Sequence, residues 1–131
     1  MKENQYFKQY EFECRCGKCQ LPPNVPSDEL ITILTEIREH FGQCLRINSG
    51  YRCLQLNKAV GGVPTSQHCL GQASDVGCTD PYALAQLAKM MRLDYDQCIL
   101  YPSFVHFSYR KDGGNRGQLL YAPSWRGRKD L

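Results

Sequence analysis

Histidine is scarce in this chain, with three in 131 residues, and tryptophan occurs once. No run approaches the roughly 20 apolar residues that a membrane-spanning helix needs, so a membrane partner is not expected. The opening residues, MKENQYFKQYEFE, lack the basic-then-apolar pattern of a secretory leader, and synthesis in the cytoplasm is the expectation. No RNA- or DNA-reading motif is present, so nucleic acid is not an expected partner either. Internal repeats and low-complexity tracts are missing too, which sets aside solenoids and biased linkers.

What is present fits one ordinary core. The chain is 42% hydrophobic and 22% charged, and its length leaves little room for a second domain. We expect a single domain over residues 1–131, acting as a monomer, with an irregular cysteine-bearing segment at 1–26 and a basic hairpin and tail at 110–131. From Arg110 onward six basic residues face two acidic ones. Arg126, Arg128 and Lys129 read as a solvated terminus, or as a loose contact for an anionic polymer.

Cysteine is abundant, at eight residues. Without an expected export signal, most of these thiols read as reduced and several as buried. Cys14, Cys16 and Cys19 form a compact group around Gly17. With a fourth ligand such as Cys53 or Cys44 they could hold a structural zinc; disulfide pairing is the alternative.

The periodicity predicts a first helix from a Ser27 cap to about Phe41, with Leu30, Leu34, Ile37 and Phe41 on one face and Gly42 as its stop. A strand is expected over 44–49 and a short helix near Leu54–Val60. A second clear helix follows Asp80, with Pro81 in its first turn. Three strands, near 96–101, 104–109 and 117–121, are expected as an antiparallel meander. Helices followed by late strands argue for α+β, a small antiparallel sheet with helices packed on it.

Two of the scarce histidines stand in suggestive settings. His68 and Asp75 lie in the glycine-bearing run SQHCLGQASD, seven positions apart and too far for the i, i+4 pairing of ligands on one helix. His106 lies in FVHFSYR, where strand alternation puts it on the face of Phe104 and Ser108. Two imidazoles and one carboxylate suit zinc and leave a position for water. Isolated histidines are more commonly ordinary surface or core residues, so spacing alone does not decide. His40 reads as a favourable charge at a helix C-terminus.

The combination Ser49-Gly50-Tyr51-Arg52, Asn57, Val60-Gly61-Gly62, Ser66-x-His68-x-x-Gly71-x-Ala73-x-Asp75 and Phe104-Val105-His106-Phe107-Ser108-Tyr109 resembles the M15 peptidases. So does the Asp96-Gln97 pair, and the likeness spans about residues 10–110. It implies a Hedgehog/DD-peptidase-like fold, and a zinc metallopeptidase that hydrolyses amide bonds in peptidoglycan stem peptides, as a D,D-carboxypeptidase or an endolysin-like endopeptidase at the bacterial cell wall. It implies His68, Asp75 and His106 as zinc ligands, Arg52 as the group facing the substrate carboxylate or oxyanion, and Ser66 and Tyr51 as cleft residues. Arg52 could instead pair with a carboxylate, and Ser66 could cap a turn. One departure stands out. Ser103 occupies the position where many family members carry the acidic general base, three residues before the second histidine. Asp96 is the nearest upstream carboxylate, readable as a replacement base or as an acid holding the hairpin. The alternative function is a weakened or inactive, zinc-stabilised wall-binding module.

Overall fold

The computed structural model describes all of residues 1–131. Ser27 starts helix α1 (Asp28–Phe41), its hydroxyl accepting a hydrogen bond from the Leu30 amide at 3.3 Å. Gly42 ends it at φ 71°, a left-handed conformation that costs glycine little, and its N–H returns to the Arg38 carbonyl. Between these caps Leu30, Ile31, Ile33, Leu34 and Ile37 are buried. Asp80 caps α3 (Pro81–Met91) through the Ala83 amide at 3.1 Å, with Pro81 in the first turn and Leu84, Ala85 and Ala88 buried. The short α2 (Leu54–Ala59) lies in the long stretch between the first two strands.

Five strands make one sheet: β1 (Arg46–Ser49), β2 (Ala73–Gly77), β3 (Gln97–Leu100), β4 (Phe104–Ser108) and β5 (Gln118–Tyr121), in the order β1-β2-β4-β3-β5. Strand alternation turns Ile47, Val76, Val105, Phe107, Cys98 and Leu100 to the core, where they meet α1 and α3 in a single apolar cluster. Each such side chain, fully buried, contributes about 1.5–3 kcal/mol. The opposite face carries Asp75 and His106, which stand directly across from each other in the β2–β4 register.

The meander expectation needs correcting. β5 runs parallel to β3 on its outer side rather than pairing with β4. The hairpin geometry explains this. β4 ends beside the start of β3, where the Asp96 amide donates to the Ser108 carbonyl at 2.7 Å. The chain then crosses that start, with the Gly117 amide donating to the Tyr95 carbonyl and the Gln118 amide to the Asp96 carbonyl. Leaving from there, the next strand can only run the same way as β3. Residues 110–131 are therefore a crossover, an edge strand and a tail. That tail is anchored, with Trp125 stacked on Tyr82 at 6.3 Å between ring centroids and the Arg128 guanidinium 4.6 Å from the Tyr82 ring centre.

The N-terminal segment is also more ordered than its composition suggests. A 3-10 turn over Gln9–Phe12 helps seat Phe7 and Phe12 fully in the core. The Phe12 carbonyl accepts from the Tyr51 amide at 2.9 Å. The approach is so close that a Cβ on Gly50 would lie 2.7 Å from the Phe12 Cα.

Candidate metal centre

Asp75 owes its position to β2 and His106 to β4, where antiparallel pairing places directly opposed side chains on one face. His68 arrives from a 3-10 turn over Gln67–Leu70. Ser66 caps that turn, its hydroxyl accepting from the His68 amide at 3.2 Å. Gly71 closes it at φ 70° under Val25, where a Cβ would come within 2.5 Å of a valine methyl. That crowding and the positive φ together require glycine there.

The three side chains converge. Asp75 Oδ1 lies 3.2 Å from His68 Nε2 and 2.9 Å from His106 Nδ1. All three donor atoms lie within 4.8 Å of one another. Tetrahedral zinc with bonds of about 2.0–2.2 Å sets its ligands roughly 3.4 Å apart. The donor set fits.

Proton accounting makes the same point. His68 is buried, and its Nδ1 lies 2.7 Å from the Gly50 carbonyl, an acceptor that only an Nδ1–H can satisfy. With Nδ1 turned to that carbonyl, His68 directs Nε2 toward Asp75, an arrangement that suits a cation between them. Burial pushes the Asp75 carboxyl up, but hydrogen bonds from His106 and His68, with their charges, outweigh it and hold the group well below the usual carboxylate range. Asp75 is a committed anion.

Arg52 stands beside this centre. Its amide donates to the His68 carbonyl at 3.1 Å and its Nη2 to Ser66 Oγ at 3.2 Å. Its Nε is buried without a partner. A buried guanidinium N–H with no acceptor is costly unless a ligand supplies one. Ser66 both caps the turn and accepts a hydrogen bond from Arg52, so the capping reading holds.

Asp96 occupies a different environment. Its fully buried carboxylate accepts from Arg116 Nε at 2.9 Å, Arg116 Nη2 at 2.8 Å, the Arg116 amide at 3.0 Å and Gln67 Nε2 at 3.0 Å. The Arg116 side chain leads the effects that outweigh burial and hold it down at about 2. An acid with every oxygen engaged, and so weakly basic, does not suit proton abstraction. The replacement-base expectation gives way to the structural one: Asp96 pins the crossover to β5 and, through Gln67, the turn that carries His68. Ser103 is exposed in the β3–β4 turn.

Tyr51 lies beside Cys16, Cys19 and Cys53. Burial raises its phenol, and the next contributions all come from thiols: Cys19, Cys53, Cys14 and Cys69. Cys14, Cys16 and Cys19 are gathered with Cys53, whereas Cys44 is exposed elsewhere.

Sequence reasoning missed Tyr101. Its half-buried ring stacks on Phe104 at 4.3 Å between centroids. Burial raises its hydroxyl, Asp75 adds to the rise and Arg52 opposes it, so the phenol lies in the field of both site charges. The signal available was positional: an aromatic before Pro102, at the turn leading into the strand of His106.

A family model described as Peptidase M15 matches residues 5–108. The chain belongs to the M15 peptidase family. No curated protein matches this M15 chain at significance. Family membership makes the protein a hydrolase of the peptidase class, and M15 peptidases depend on zinc.

Proposed function

We propose that the protein is a zinc-dependent peptidase that hydrolyses amide bonds in peptidoglycan stem peptides, as a D,D-carboxypeptidase or an endopeptidase acting at the bacterial cell wall. The observation that carries this is the convergence of His68, Asp75 and His106 beside an arginine whose buried Nε has no acceptor. Zinc held by these three residues supplies Lewis acidity toward a carbonyl and brings the ionisation of a water near neutral pH.

The chain's own residues do the rest. Arg52 donates to the substrate's carboxylate or to the oxyanion that develops on the attacked carbonyl, and the flat guanidinium suits either. Ser66 accepts a hydrogen bond from it and helps hold it in place. Asp75 stays ionised throughout, fixing the charge of the centre. Tyr101, whose phenol lies in the field of Asp75 and Arg52, is the hydroxyl we assign to donate a hydrogen bond into the same space. Incubating purified cell walls with the zinc-loaded protein and analysing the released muropeptides tests the reading. New stem-peptide products that require His106 are expected, and unchanged walls at neutral pH would remove it.

A second reading draws on one specific observation: Ser103 stands where the acidic base is common, and the carboxylate of Asp96 is locked. A zinc-stabilised wall-binding module would pellet with wall material without turnover. Ser103→Glu separates the cases, since gained hydrolysis identifies a weakened enzyme and unchanged binding without hydrolysis identifies a binding module.

A further inference from the structure

A second gathering of donors lies outside the histidine–aspartate centre. Cys14, Cys16 and Cys19 come from one tight N-terminal loop and Cys53 from the residue that caps α2, yet all four sulfurs lie within 4.8 Å of one another. Four thiolates bound at about 2.3 Å around tetrahedral zinc stand about 3.8 Å apart. The Cys16 and Cys19 sulfurs are 3.3 Å apart and all eight cysteines are free, whereas a disulfide bond is about 2.05 Å long.

Backbone amides are aimed at three of these sulfurs. The Lys18 amide reaches Cys16 Sγ at 3.3 Å, the Cys53 amide reaches Cys14 Sγ at 3.3 Å, and the Leu56 amide reaches Cys53 Sγ at 3.4 Å. Gly17, at φ 71°, makes the turn between Cys16 and the Lys18 amide. Amides directed at sulfur stabilise thiolate over thiol, and four crowded thiolates repel unless a cation sits among them.

We propose that Cys14, Cys16, Cys19 and Cys53 form a separate structural zinc site that braces the wall of the hydrolytic centre. Four protein ligands close the coordination sphere, so this site holds shape rather than activating water. What it holds is the segment Gly50–Cys53. The Gly50 carbonyl accepts from His68, the Tyr51 amide bonds Phe12, and the Arg52 amide bonds His68. Cys53 follows directly and is tied through its amide to Cys14. A metal joining Cys53 to the N-terminal loop therefore clamps both the residue that orients His68 and the arginine that faces substrate.

Metal analysis of the purified full chain, kept reduced and dialysed against trace zinc, tests the site independently of peptidase activity. Wild type is expected to hold two zinc ions, with one lost in Cys19→Ser and the other in His106→Ala. After cobalt(II) exchange, the near-ultraviolet sulfur-to-cobalt band should survive His106→Ala and vanish in Cys19→Ser. Cys19→His, which keeps a zinc donor, should restore the second ion. Hydrogen exchange at Tyr51 and Arg52 should quicken about 10-fold or more in Cys19→Ser while α3 is unchanged. If Cys19→Ser fails to fold, mercurial titration of wild type replaces it, and release of one zinc per chain is the expected result. The proposal is overturned if wild type and Cys19→Ser bind the same amount of zinc, if the mercurial releases none, or if peptide mapping finds a Cys16–Cys19 disulfide in the reduced preparation.

Discussion

Asp75 lies on β2 and Asp96 just before β3, both well shielded from solvent and both held below the usual carboxylate range. Their partners differ. Asp75 is flanked by two imidazoles, whose ring nitrogens can present lone pairs to a cation. Asp96 is flanked by a guanidinium and a carboxamide, donors that never become acceptors at those nitrogens. The first arrangement can exchange its protons for a cation, and the second cannot. A buried acid's role is thus read from what its neighbours are able to give up, more than from its own burial or acidity.

The sharpest way to break the contrast is to remove one imidazole. His106→Ala should lower hydrolysis of wall peptides by more than about 10³-fold, toward the uncatalysed rate. Zinc bound at that centre should go with it, while the circular dichroism spectrum is retained. Asp75→Ala should match it. An activity loss without loss of zinc would place the metal elsewhere.

Arg52→Ala comes next, at about 10²–10³-fold in kcat/KM, the scale of losing a directed donor at a developing charge. Arg52→Lys keeps the charge but not the fork, and should recover only part. If Arg52 binds a substrate carboxylate, the loss falls mainly on KM; if it meets the oxyanion, on kcat. Zinc content should not change in either variant, which separates this residue from the ligands.

Tyr101→Phe removes a single hydroxyl and keeps the stack on Phe104. We expect about a 10-fold fall in kcat with unchanged stability, as for one general-acid or hydrogen-bonding group of modest weight. A change confined to thermal stability would reassign the tyrosine to packing.

These expectations rest on features of unequal legibility. The caps at Ser27 and Asp80, the stop at Gly42 and the apolar stripe of α1 act within a few residues, and local chemistry is what a sequence displays most directly. The strand position of His106 could be read from alternation, but that of Asp75 in the short, glycine-flanked β2 could not, nor could the register between them. Asp75 faces His106 because Val76 and Val105 share the core side of the sheet, a condition set by the whole fold. The parallel pairing of β5 escaped for a similar reason. It goes with the chain crossing the start of β3, where Arg116 meets Asp96 from twenty positions away, and no periodicity encodes that meeting. The same pair decided the fate of Asp96, which looks like a spare base until its partner is known. Cys53 was one of two candidates to join the N-terminal thiols, and only the return of the chain past Phe12 favours it over Cys44.

Asp96→Asn should therefore leave catalysis nearly intact and weaken the fold. The amide keeps the shape but loses the charge that Arg116 and its backbone amide address, and places a donor where the native group only accepts. Hydrogen bonds to a buried charge typically contribute about 1.5–3 kcal/mol, so a loss of about 2–3 kcal/mol is expected by urea unfolding. The pH dependence identifies the cause. The folded Asp96 titrates at about 2, below the roughly 3.9 of an unfolded aspartate. Its contribution is then fully present above about pH 4 and disappears as pH falls through about 2. The stability gap between wild type and Asp96→Asn should be widest at neutral pH and should narrow across that acid window. A gap that stays constant with pH would mean the asparagine acts through packing rather than charge. A large fall in kcat at neutral pH would move Asp96 back to the side of Asp75, among the residues that serve the reaction.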